Sequence, residues 1–343
     1  MEKTTTYKKH FLALSILLFL VIFANISLGS VAIPLKEVFK SLFHLQTDNT
    51  AWDFIIQNYR LPKALTAIMV GSGLSICGLL MQTLFRNPLA GPFVLGVSSG
   101  ASLGVALLIM GAASFSGFLG ATLLGTWSLV IAAGLGSFLV MLAVLAITVR
   151  VKDTMAILII GLMFGSVTAA IVGVLAYFSP AEQLQQYIFW SFGSLGNNSW
   201  DGMLVLFICF MAGFAMSVLT IKPLNALLLG ENYAKSQGLN IGKSRLIILV
   251  ATCVLAGAIT AFAGPVAFIG LAVPHITRQI FTTANHQILI PAVILCGAII
   301  MLICDSIAQL PFTDYTLPIN AITSLVGAPV VIWLLVRRRK LLF

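Results

Sequence analysis

Charge is what this sequence has least of. Only 8% of its 343 residues are Asp, Glu, Lys or Arg, whereas 59% are hydrophobic. A soluble domain is about 25% charged, so an ordinary soluble enzyme is excluded. Disorder is excluded as well, because it needs low hydrophobicity and many charges. The five cysteines, Cys77, Cys209, Cys253, Cys296 and Cys304, show no Cys-x-x-Cys spacing. Each lies in or at the end of an apolar stretch, where a thiol acts as a small hydrophobe. The run Gly238-Leu239-Asn240-Ile241-Gly242-Lys243-Ser244 has three residues between its glycines. A phosphate-binding loop needs four, after a strand, so this run is a decoy and any ATP is hydrolysed by a partner. No His, Asp, Glu and Cys set clusters at membrane depth. His275 in Val273-Pro274-His275 has no second ligand at i+3 or i+4, so it reads as structural, with no metal and no cofactor implied.

What is present is apolar sequence, with a mean hydropathy of +1.07. Crossing a ~30 Å hydrocarbon core takes about 20 apolar residues, and stretches of that length recur from end to end. The pattern predicts an all-α polytopic membrane protein, a single transmembrane domain over 1–343. Ten spans are read at 11–29, 62–84, 92–110, 118–149, 154–178, 202–221, 246–263, 265–281, 288–304 and 318–336. The first is long for a cleaved signal and is read as retained. The fourth is long enough to tilt. The seventh and eighth meet at Gly264-Pro265, where a helix cannot continue undisturbed.

The net charge of +9 points to membrane headgroups rather than nucleic acid, since the basic residues are spread through short loops. With the N-terminus inside, Lys36, Lys40, Arg60 and Lys63 fall outside and the other 15 of the 19 Lys and Arg fall inside. That asymmetry predicts an even number of spans and cytoplasmic N- and C-termini. No span carries an ionisable residue near its centre, which argues against an ion-coupled carrier. Asp305 is the nearest exception, read as a residue at the outer end of the ninth span. A membrane-embedded enzyme is the remaining rival, disfavoured by the lack of a catalytic cluster.

Two outer loops are long. In 30–61, the stretch from Pro34 to Phe43 places apolar residues at helical spacing, which predicts a short amphipathic helix on the outer surface. In 179–201, Leu184, Tyr187, Ile188 and Trp190 fit an interfacial belt. Gly96, Gly100 and Gly104, and likewise Gly161 and Gly165, form small faces for close helix packing. Ala90–Gly96 faintly echoes Ala263–Gly270, as in an inverted repeat.

Four stretches together resemble the permease subunits of ATP-binding-cassette importers for iron-siderophores, haem and vitamin B12. They are Arg60-Leu61-Pro62-Lys63 running on through Met81–Pro92 to Leu95–Ala101; Leu229–Leu239; Ala263–Arg278; and Leu317-Pro318-Ile319 with Leu325–Pro329. The resemblance covers nearly the whole chain. It implies type II importer permease architecture with about ten helices and a homodimer with the pathway on its two-fold axis. It also implies two cytoplasmic ABC ATPase subunits and a periplasmic or extracellular substrate-binding protein. The cargo stays open among a ferric siderophore, haem and cobalamin.

The resemblance also implies residue roles. Within the inner loop 222–245, Gly230, Glu231, Ala234 and Gly238 match the short helices that couple to the ATPase. Arg60 and Lys63 match the basic outer positions that dock the binding protein. Asp153 and Thr154 match an inner gate, and Met155, Met163 and Phe164 offer the pathway an apolar wall. Gln309 stands where relatives have Arg, and Asn320 where Gly is usual.

Overall fold

The computed structural model describes residues 2–111, 126–148, 151, 154–196, 198–313 and 315–336, and among them every regular element is helical. Lipid offers no hydrogen bonds, so each crossing backbone must satisfy itself, as a helix does. Each of the ten predicted segments holds a helix. Seven are long and apolar enough to cross a membrane, and Val97–Gly111 and Ile319–Trp333 are shorter apolar helices. The chain divides into two compact units.

One unit comprises 1–76, 194–208 and 266–342. It contains α1 (Glu2–Ser27), α2 (Leu35–Leu42), α3 (Thr50–Ile55), most of α4 (Leu61–Phe85), α13 (Ile269–Ile280), α14 (His286–Ala308) and α15 (Ile319–Val336). The α4 and α14 backbones touch. A Cβ on Gly71 would collide with the Gly297 carbonyl, and Ser72 Oγ donates to the Ile294 carbonyl at 3.0 Å. At the other end of α1, Tyr7, His10 and Phe11 ring the fully buried Phe281.

The second unit comprises 77–193 and 209–265. It holds the end of α4, then α5 (Val97–Gly111), α6 (Thr126–Thr148), α7 (Thr154–Phe178) and α8 (Ala181–Ser191). Most of α9 (Trp200–Leu219) follows, with α10 (Ile221–Leu228), α11 (Glu231–Ser236) and α12 (Ile241–Ala263). The predicted glycine faces pack α5 on α6: a Cβ on Gly100, Gly104 or Gly136 would strike the facing backbone. Gly161 lets α7 rest against the Val94 carbonyl.

Three details depart from the sequence reading. The second span does not begin at Pro62. Helical structure runs from Thr50 to Phe85, through a π-turn at Ile56–Arg60 that absorbs the hydrogen bond Pro62 cannot donate. The third span is broken: Pro92–Leu95 is a 3₁₀ turn and Gly96, at φ +72°, starts the helix proper. The eighth is only 12 residues, about 18 Å long, entered through Gly264 at φ +73° and Phe268 at φ +63°. Both halves of the sequence echo are thus left-handed breaks.

Candidate functional site

The 222–245 loop folds into two short helices, α10 and α11, the second bracketed by glycines. Gly230 has φ +116° and ψ 149°, a conformation essentially reserved for glycine, and its carbonyl accepts from Ala234 N–H at 2.9 Å to open α11. At the other end Gly238 has φ +77°. Its N–H donates to the Lys235 carbonyl at 2.9 Å, and Leu239 N–H donates to the Ala234 carbonyl at 3.1 Å. This is a Schellman cap, which demands a left-handed residue at that point and an apolar contact beneath it. Ala234, fully buried, supplies the small apolar floor. Asn240 then starts α12 by accepting from Lys243 N–H at 3.0 Å. The run that imitates a phosphate loop is therefore a helix end followed by a helix cap.

Two arginines brace this loop. Glu231, at the start of α11, lies 3.2 Å from Arg245 in the first turns of α12. The Arg245 side chain is 9% exposed and that of Glu231 44%, so the carboxylate keeps an open side. Arg86, just after α4, takes a left-handed conformation uncommon for a residue other than glycine, φ +47°, with Asn87 N–H closing back on the Gln82 carbonyl at 3.2 Å. Its guanidinium donates at 2.5 Å to the Leu227 carbonyl near the end of α10, which also accepts from Gly230 N–H at 3.1 Å. Between these parts opens a cleft of about 460 Å³, bordered by Phe85, Arg86, Gly230, Glu231, Tyr233 and Arg245. Asn232, Tyr233 and Lys235 are exposed on α11. The sequence reading counted Arg86 and Arg245 only as inside charges. The one available signal was that Arg86 lies in the Arg-Asn-Pro-Leu-Ala stretch.

Arg60 and Lys63 are both committed internally. The Arg60 guanidinium donates to the carbonyls of Ile26 and Ser27 at 2.7 and 2.9 Å, and of Val31 at 2.5 Å, capping the end of α1. Lys63 Nζ lies 3.0 Å from Asp305 Oδ1. Asp305 is 2% exposed, and its other oxygen accepts from Asn25 at 2.9 Å and Gln309 at 2.7 Å. Asp305 is thus a buried, fully partnered anion rather than an interfacial helix end. Gln309 serves it through its side-chain amide, and Asn320 Oδ1 accepts from Ala267 N–H at 3.1 Å.

Of the residues that the resemblance matched to a gate and pathway, Asp153 lies outside the described residues, and Thr154 begins α7. Met155 and Met163 are 53% and 55% exposed and share an apolar stripe with Ile159 and Val167. Phe164 is half-buried, and its Cβ lies close to Gly96.

The profile of the FecCD transport family matches residues 16–337. The chain is 35% identical over 323 residues to the hemin transport system permease protein HmuU of Yersinia pestis, covering 94% of this chain and 95% of that one. It is 36% identical over 284 residues to the vitamin B12 import system permease protein BtuC of Klebsiella pneumoniae, covering 83% of each. Among solved structures, an ABC transporter of metal-chelate type in an inward-facing conformation aligns over 96% of this chain and 99% of that one. The TM-score is 0.84 and the identity 28%. With its long apolar helices this is a multi-pass membrane permease, and the chain belongs to the FecCD transport family.

Proposed function

We propose that this permease is the transmembrane subunit of a type II ABC importer that carries an iron chelate of the ferric-siderophore type. The chain forms one permease domain over 1–343, crosses the bacterial cell membrane ten times and keeps both termini inside. Two copies enclose a pathway on their two-fold axis. Two ABC ATPases sit on the inner face, and a substrate-binding protein delivers cargo from outside. The permease itself catalyses no reaction.

One observation carries this reading. The 222–245 loop is a braced projection, with α11 held by Gly230, Gly238, Ala234 and Arg245 while Glu231 and Tyr233 remain partly open beside a cleft. A rigid projection with an open face is what transmitting ATPase closure to the helices requires. Met155 and Met163 supply an apolar wall that a bulky chelate passes without a tight site, with Asp153 and Thr154 at its inner gate and Phe164 behind. Arg60 and Lys63 contribute to docking only through what they show outward, 22% of the side chain in the case of Lys63.

A second cargo, haem or cobalamin, is favoured by the names of the two relatives above. Reconstitution of the permease with its ATPase and binding protein in proteoliposomes tests both. ATP-dependent uptake of a ferric siderophore supports the main reading. Uptake of haem or cobalamin instead would replace it, and proton-driven uptake without ATP would overturn the importer.

A further inference from the structure

The segment joining α1 to the second long helix is turned inside out for a water-exposed loop. Helix α2 buries Glu37 (3% exposed), Val38 and Ser41, while Leu35, Phe39 and Phe43 are 57%, 48% and 60% exposed. The two phenylalanine rings adjoin along the helix, with centroids 4.5 Å apart and planes tilted by 38°. Burying the polar side is tolerable because it is fully partnered. Glu37 pairs with Lys40 at 2.8 Å and accepts from Asp48 N–H at 2.8 Å, and Lys40 reaches Asp48 at 2.7 Å. Ser41 donates to Asp53 at 2.5 Å, and Gln57 donates to the Ser41 carbonyl at 2.7 Å. In water the hydrophobic effect would rotate such a helix the other way.

The height of α2 is fixed by the chain. Ile33 N–H donates to the Ser27 carbonyl, the last residue of α1, at 3.1 Å. Arg60 holds the carbonyls of Ile26, Ser27 and Val31 in the same turn. Helix α2 therefore starts where a membrane-crossing helix ends, at headgroup level, and it packs on α1. The exposed side of α1 is itself apolar, with Ile16, Phe19 and Leu20 all more than half exposed. The exposed face of α2 continues a surface that already meets lipid.

We infer that α2 is a membrane-surface helix whose Leu35, Phe39 and Phe43 insert into the headgroup–acyl boundary of the outer leaflet. The Glu37–Lys40–Asp48 network fixes its rotation. This inference is independent of cargo and of the ATPase; it rests on the proposed topology only in that α1 crosses the membrane with its N-terminus inside.

The test is Trp fluorescence of the full chain in lipid nanodiscs, with the unsubstituted protein as baseline for its native tryptophans. Phe39→Trp is the reporter, and Gln46→Trp, exposed in the loop that follows the same helix, is the comparison. The added Phe39→Trp emission is expected to be blue-shifted and quenched by phosphatidylcholine brominated near the glycerol end, with little loss to aqueous acrylamide. Gln46→Trp emission is expected to respond mainly to acrylamide. Phe43→Trp repeats the measurement should Phe39→Trp fail to fold. Acrylamide quenching of the Phe39 site without bromine quenching would overturn the inference and make the face a docking surface for a soluble partner. Protection from both quenchers would overturn it in favour of a second copy, and equal bromine quenching at both sites would overturn the claim that this one face inserts.

Discussion

Glu231 and Arg245 meet at 3.2 Å across the starts of two successive helices, tying α11 to the first turns of the membrane helix α12. The pair is half open to solvent on the carboxylate side, so its contribution to stability is small, about 0.2–1 kcal/mol. If the loop couples to an ATPase as proposed, this pair lies in the path of transmission. Glu231→Arg places like charges together, and the expected result is ATP hydrolysis that continues while uptake falls, read as more ATP consumed per substrate imported. The double variant Glu231→Arg with Arg245→Glu restores the pairing and is expected to recover part of the coupling. Undiminished uptake by the single variant would remove Glu231 from this role.

The two glycines bracketing α11 differ in what they tolerate. A Cβ on Gly238 meets nothing within 4 Å, so Gly238→Ala costs only its left-handed backbone, about 1–2 kcal/mol. Gly238→Asn is milder, because asparagine tolerates that conformation. Gly230 lies in a region closed to side chains, and Gly230→Ala is expected to cost more, up to about 3 kcal/mol. Hydrogen exchange of the α11 amides should rank the variants in that order.

The Lys63–Asp305 pair predicts a stability effect that docking alone would not give. Lys63→Met leaves an anion that is 2% exposed with only Asn25 and Gln309 as donors, a loss of about 3 kcal/mol. The melting temperature in detergent is expected to fall, and Lys63→Met with Asp305→Leu to recover most of it. Reversing Arg60 and Lys63 should in addition weaken association with the binding protein in a salt-sensitive way, beyond what Lys63→Met does.

The network that orients α2 sets a pH window. A hydrogen bond from Lys40, then its charge, holds the Asp48 carboxyl below its ordinary 3.8, with Glu37 and Lys36 adding to this. Hydrogen bonds to Asp48 and then Glu37 raise Lys40 above 10.5. The Asp48 contribution is present above the unfolded value and lost as pH falls through the depressed one. That of Lys40 is present below its unfolded value and lost as pH rises through the raised one. Bromine quenching at the Phe39 site is therefore expected to stay constant from about pH 5 to about pH 9. A step inside that range would contradict the pairing.

The segments that fold as helices were legible because an apolar run in lipid has one good backbone solution. The helix at Leu35–Leu42 was legible from its spacing. Three features were hidden. Pro62 read as a helix start, because nothing in sequence announces a π-turn at Ile56–Arg60 that lets the helix continue through it. Asp305 read as an interfacial end, because its partners Asn25 and Lys63 are remote in sequence. Arg86 and Arg245 read as topology markers, because only the folded loop brings them to Leu227 and Glu231.

The central claim is that α11 hands ATPase movement to this permease, and a photo-crosslinking amino acid at Tyr233 tests it most directly. Tyr233 is 45% exposed beside the cleft, and its replacement leaves the bracketing glycines and arginines untouched. Irradiation in native membranes followed by mild-detergent purification is predicted to yield a covalent adduct with an ABC ATPase, at one ATPase per permease. A permease recovered without any ATPase, with the crosslinker reacting only with lipid or with a second copy, would contradict the account.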